Sequence, residues 1–176
     1  MTGSQSGSGR EPLLFIMELV RSHPVPVFIF LTCLFLSGSS LFVSYRRAEG
    51  VSMLPTFSPG SILVCTKEAE PEKITHGACV IADASFYEDG LVVIKRVVGC
   101  PGDIVQVKDG LLYLNGEAVD DGFPQMEEPG TAAGAVMLGE DEYFLLGDNR
   151  NFSVDSREFG PVRAACITNI VIFSFF

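Results

Sequence analysis

Histidine is almost missing from this 176-residue chain: His23 and His76 are the only two. The five cysteines (Cys33, Cys65, Cys79, Cys100 and Cys166) form no C-x-x-C pair and stand at no ligand spacing from either histidine. The usual metal-site signatures are therefore absent, and neither a metal nor a cofactor is expected. Positive charge is scarce as well. From residue 49 onward eight Lys and Arg face twenty Asp and Glu, a net charge of −12 for that part. A surface so acidic is a poor partner for nucleic acid or anionic headgroups and suits neutral or basic partners. After Arg47 no long helical period occurs either, which excludes a helical domain.

What the chain has is an apolar surplus, 47% of residues, and much of it lies in one stretch. Pro24 to Tyr45 (PVPVFIFLTCLFLSGSSLFVSY) carries no charge, and about 20 such residues at ~1.5 Å each span a bilayer. The sequence predicts a transmembrane helix over 24–45, preceded by an N-terminal tail with a short apolar segment at Pro12–Val20 (residues 1–23). A cleavable signal peptide fits less well, because the apolar core is too long and too far from the start. Arg10 and Arg21 before the segment balance Arg46 and Arg47 after it, so charge does not choose an orientation.

Residues 46–176 read as a β-rich domain. Strands are expected at 61–66, 78–82, 91–98, 104–107, 111–114, 143–146 and 167–173, with turns at Lys108-Asp109-Gly110 and Asn115-Gly116. The Gly-, Pro- and acid-rich stretch 120–142 reads as a mobile surface excursion. The cysteines in apolar strand contexts suit buried thiols and, in an oxidising compartment, disulfides; their number does not choose.

One charge sits oddly. Lys95 lies in the strand Leu91-Val92-Val93-Ile94-Lys95-Arg96-Val97-Val98, on the face shared by Leu91, Val93 and Val97. An amine buried there loses preference for its charged form, about 2.7 kcal/mol for two units below the usual value near 10.4, and becomes a base near neutral pH. A base needs a nucleophile, and Ser52 occupies a Gly/Pro-flanked loop, Gly50-Val51-Ser52-Met53-Leu54-Pro55-Thr56. A third block, Gly147-Asp148-Asn149-Arg150 through Ser153, Asp155, Arg157 and Pro161, is dense in small polar and charged residues between two apolar strands.

In this order, S-M-x-P-T, K-R-x-x-G-x-P-G-D and G-D-N-R-x-x-S-x-D-S-R-x-F-G-P resemble the type I signal peptidase family, over nearly all of residues 26–176. The resemblance implies a mainly β, antiparallel catalytic domain of the signal peptidase and self-cleaving repressor type behind one transmembrane helix. It implies a Ser/Lys-dyad serine endopeptidase on the outer face of the cytoplasmic membrane, which removes signal peptides after Ala-x-Ala-like sites. Preproteins, the lipid bilayer and the secretion translocon are the implied partners; nucleic acid and metal are not. By position, Ser52 is the implied nucleophile and Lys95 the base. Ser153 is the implied lysine-orienting hydroxyl, with Asp155, Arg157, Asp148 and its partner Arg96 as supports, and Met53, Phe57, Val93 and Ile94 at the substrate pockets. Gly50 departs from relatives that carry there a serine donating to the oxyanion. Two other readings stay open: a peptidase dedicated to one substrate such as a surface-appendage subunit, and a non-enzymatic assembly chaperone of the same fold.

Overall fold

Apolar residues at every second position need a sheet with one face covered, and the chain builds two such sheets. The computed structural model describes residues 20–22, 24–39 and 43–175. The tail 1–9, most of the Pro12–Val20 segment and His23 lie outside the described residues. Contacts divide the chain into two units between Phe42 and Val43.

In the first unit, helix α1 runs Pro24–Ser39. Proline suits its first position, where the backbone N–H has no helical partner in any case. Its 16 residues span ~24 Å, short of the ~30 Å hydrocarbon core. No helix among the described residues is long and apolar enough to cross a membrane. The expectation of a continuous helix to Tyr45 is thus corrected, because Val43–Arg47 form strand β1 and pair with the second strand. Val43 and Tyr45 are β-branched and aromatic residues that fit a pleated surface well.

The second unit is mainly β. Its strands are β1, β2 (Ile62–Thr66), β3 (Cys79–Asp83), β4 (Val92–Gly99), β5 (Ile104–Lys108), β6 (Leu111–Leu114), β7 (Glu117–Val119), β8 (Val136–Met137), β9 (Glu142–Leu146), β10 (Val162–Arg163) and β11 (Ile167–Phe175). Seven of them form an antiparallel sheet in the order β1-β2-β11-β3-β4-β9-β10, and four form a second in the order β7-β6-β5-β8. The two predicted turns are present. Asp109-Gly110 and Asn115-Gly116 all have positive φ, the conformation that tight hairpins demand and that Gly, Asn and Asp tolerate.

Three apolar clusters fill the unit. One packs Val93 and Val97 of β4 with Val80, Ala82, Leu145 and Val162. A second joins Val105, Val107 and Leu112 to Phe144 and Leu146. A third sits under the Ser52 loop, with Met53, Phe57, Leu63, Cys65, Cys79 and Ile81. All five cysteines are free thiols.

The excursion 120–142 is not loose. Met126, Ala132 and Leu138 are buried in the second cluster, and the Glu127 N–H donates to the side-chain oxygen of Asn151 in the Gly147–Arg157 loop. Its acidic, Gly-rich composition concealed these few anchoring residues.

Candidate active site

Lys95 occupies the middle of β4, paired through the backbone with Val80 of β3. The alternation that puts Val93 and Val97 in the core carries Lys95 in with them, leaving it 3% exposed. Its Nζ lies 2.8 Å from Oγ of Ser52. Burial, reinforced by the Arg157 cation and outweighing the opposing carboxylates of Asp155 and Asp148, lowers the amine from its ordinary value to about 8. The lysine is therefore partly neutral near neutral pH, and its Nζ stands within hydrogen-bonding distance of a hydroxyl.

The Ser52 loop is held from the opposite side by Asn149. Its backbone N–H donates to the Ser52 carbonyl at 3.0 Å, and its side-chain amide donates to the Val51 carbonyl at 3.1 Å. Two residues earlier stands Gly147, where no side chain fits. A Cβ there would meet Oγ of Ser153 at 2.1 Å, Cβ of Ser153 at 2.5 Å and the Ser52 carbonyl oxygen at 2.7 Å. Gly147 thus permits the Ser52 loop and Ser153 to close on the same backbone.

Carboxylates and guanidiniums fix this loop. Asp155 is fully buried; it accepts from the Gly147 N–H at 3.0 Å and from Arg157 through Nε at 2.9 Å and a terminal nitrogen at 2.8 Å. It also caps the short helix α2 (Ser156–Phe159) by accepting from the Arg157 N–H. Arg157 continues to the carbonyls of Glu128 and Arg150. Asp148, likewise fully buried, takes a bidentate pair from Arg96 at 2.8 and 2.7 Å and a hydroxyl from Thr56. Such paired charges are shaped hydrogen-bonding clamps rather than net sources of stability. The excursion adds a further brace. Phe123 lies between Arg96 and Arg150, with guanidinium carbons 5.1 and 4.9 Å from its ring centroid, and Asp121 pairs with Arg150.

The site residues expected from sequence are not all placed as expected. Ser52–Lys95, Arg96–Asp148 and Asp155–Arg157 form three pairs, joined through the Gly147–Asn149 backbone, which bonds to Asp155 and to the Ser52 carbonyl. Ser153 is beside them, but its buried hydroxyl makes no hydrogen bond, to Lys95 or to any other described residue. Its Oγ is turned against Gly147. Val93 and Ile94 line a groove of about 670 Å³ that contains Ser52 and Lys95, along with Leu91, Val92, Val154, Glu49, Asp83 and the two arginines of β1. Met53 and Phe57 do not line it; they are 4% and 7% exposed and belong to the core cluster beneath. Gly147, Asn149 and Phe123 are the site residues that the sequence did not single out. Gly50 has φ 76° and open space around it. That backbone geometry strains any residue with a side chain, which suits glycine rather than a hydroxyl donor there.

Burying Lys95 costs stability, and pH reveals how much. Its folded value of about 8 lies below the ordinary 10.5. The unfolded chain thus binds more protons between those values, and stability rises with pH across that window. Below pH 8 the full cost of about 3 kcal/mol is present. Lys95→Met, of similar volume, is expected to stabilise the domain by about that much at pH 7, with the gain fading as pH rises from 8 towards 10.5. Urea unfolding at pH 7 and pH 10 measures it; an equal gain at both would remove the buried-amine assignment.

Residues 21–176 match the family model described as signal peptidase, peptidase S26. The chain is 34% identical over 147 residues to signal peptidase I V of Bacillus subtilis (strain 168), covering 76% of this chain and 85% of that protein. It is 29% identical over 178 residues to signal peptidase IB of Staphylococcus aureus (strain COL), covering 91% of this chain and 89% of that one. Among solved structures, the crystal structure of a signal peptidase I from Enterococcus faecalis V583 is 30% identical, with a TM-score of 0.44, over 54% of this chain and 93% of that chain.

Proposed function

The chain belongs to the signal peptidase family, peptidase S26, and is a serine peptidase; from that premise we propose that it cuts signal peptides from preproteins with Ser52 as nucleophile and Lys95 as base. The observation that carries this reading is the 2.8 Å contact between a buried, pKa-lowered amine and a serine hydroxyl at the floor of a groove.

Neutral Lys95 takes the Ser52 proton as Oγ attacks the scissile carbonyl, and the protonated amine then passes that proton to the leaving amine. The acyl-enzyme that remains is opened by a water, which the same lysine deprotonates. The Ser52 backbone N–H is the oxyanion donor. Ser153, buried without a partner beside Gly147, supplies the hydroxyl that orients the amine once substrate displaces Ser52 from it.

Substrate geometry follows from the sheet. β9 pairs with β4 only from Arg96 onward, whereas β3 pairs with it from Val92. Among the described strands the edge of β4 at Val92–Lys95 opposite β3 is therefore unpaired, and an extended peptide can add to it by main-chain hydrogen bonds. Val93 and Ile94 border the groove closely, which favours small side chains before the cut.

Attachment to the membrane rests on α1, which carries no charged residue and leaves Val25, Phe28 and Phe30 about two-thirds exposed; the outer face is what the family resemblance implies. Nothing in water covers such a surface, while lipid does.

The test is cleavage of a preprotein bearing an Ala-x-Ala site by the full chain in membranes. The expected products begin at the residue after the second alanine, and a bulky residue in place of that alanine blocks them. The chain is expected to sediment with membranes after a high-salt wash. Cleavage elsewhere, or recovery in the soluble fraction, would contradict the corresponding part of the proposal.

A further inference from the structure

The hairpin-like return from β3 to β4 brings together three side chains that the peptidase chemistry does not use. His76 precedes β3, Cys100 follows β4, and Asp103 ends the turn that Cys100 begins. Their ligand atoms, one imidazole nitrogen, one thiol sulfur and one carboxylate oxygen, all lie within 4.8 Å of one another. His76 Nε2 is already 2.6 Å from Oδ2 of Asp103.

We infer that His76, Cys100 and Asp103 form a binding site for a borderline-soft divalent cation of the zinc class. The donor set is the first reason. Imidazole, thiolate and carboxylate together suit zinc and cobalt, whereas magnesium and calcium take oxygen ligands. The second is that the carboxylate is oriented from behind. Asn115 donates to Oδ1 of Asp103 at 2.8 Å and is itself fixed by accepting from the Ile104 N–H. Such outer partners aim the ligands of metal sites.

The third reason is that the sulfur is available. Its contact with the Ile74 carbonyl is a long one, 3.9 Å, and the His76 main chain also approaches it. His76 is half-exposed, so a fourth, tetrahedral position is open to water. The backbone on both sides is anchored, since the Gly77 N–H donates to the Val97 carbonyl and the Asp103 N–H donates to the Cys100 carbonyl. A bound ion crosslinks β3 and β4 at the end of the pair opposite their connecting loop, and its role is to stiffen the pair on which Lys95 rides.

The probe is Co²⁺ added to the full-length protein, with a non-coordinating phosphine keeping the thiols reduced. Equimolar metal is expected to give the near-ultraviolet thiolate-to-cobalt absorption. Cys100→Ser abolishes it, Cys166→Ser leaves it, and His76→Ala weakens binding by at least about tenfold. Zn²⁺ is expected to compete the signal away and to raise the unfolding temperature of the wild type but not of Cys100→Ser. No band up to millimolar Co²⁺, a band that survives Cys100→Ser, or affinity unchanged by His76→Ala each overturns the site. His76 is half-exposed, so its variant folds and decides the question even if the cysteine variant does not. Cleavage activity does not enter these readouts, so the inference stands or falls apart from the peptidase proposal.

Discussion

Ser52→Ala and Lys95→Met are each expected to lower preprotein cleavage by about 10⁴-fold or more, and the double variant to lose no more than either single one. Groups that act as one unit in a covalent mechanism are strongly non-additive, because removing either abolishes the same step. The proposed dyad of Ser52 and Lys95, in contact at 2.8 Å, is such a unit. Both variants leave the fold intact. Ser52 lies in a loop rather than in the core, and the lysine replacement relieves a buried amine and is expected to stabilise at pH 7. Loss of activity with gained stability separates a catalytic lysine from a structural one. Single-turnover cleavage assays of the three variants, alongside their urea unfolding curves, check this. A double variant much slower than both singles would mean that the two residues act independently.

Gly147→Ala is expected to lower the rate by about 10²-fold or more, with a smaller cost in stability. The added methyl group meets Ser153 at 2.1 and 2.5 Å and the Ser52 carbonyl at 2.7 Å, distances that force something to move. The Ser52 side of the clash is backbone, held by Asn149, so Ser52 itself is displaced or Ser153 is expelled. A misplacement of about 1 Å at reacting atoms costs roughly 10²-fold, while overpacking costs about 1–3 kcal/mol. The distinguishing readout is kcat against unfolding midpoint. Gly147→Ala/Ser153→Ala is expected to recover little, because the Ser52 contact persists. Full recovery in that double variant would place the whole effect at Ser153.

Much of this site was legible in the sequence because strand periodicity is a strong physical signal. Lys95 shares a strand face with Val93 and Val97, and that face is the core, so its burial followed from a two-residue period alone. The Asp148–Arg96 and Asp155–Arg157 pairs lay within recognisable motifs. Other features depend on contacts that no local pattern records. Val43–Tyr45 continue an apolar run in which β-branched and aromatic residues occur throughout, so their strand preference does not stand out; their pairing with β2 decides it. Phe123 and Asp121 lie in a Gly- and acid-rich stretch whose composition suggests mobility, yet two guanidiniums clasp the ring. Met53 and Phe57 flank the nucleophile in sequence but point beneath it, into the cluster that supports the loop. His76 and Cys100 are far apart along the chain and meet only because β3 and β4 are antiparallel neighbours.

The dyad requires that the base be a neutral amine, and the most direct measurement is the pH dependence of kcat/KM for preprotein cleavage by the wild-type chain. That profile reports the essential ionisations of the free enzyme. With Lys95 lowered to about 8, the rate is expected to climb as pH rises through 8 and to level off above it. A rising limb that continues to 10 or beyond would mean that the lysine keeps its ordinary, charged state, and would contradict Lys95 as the base.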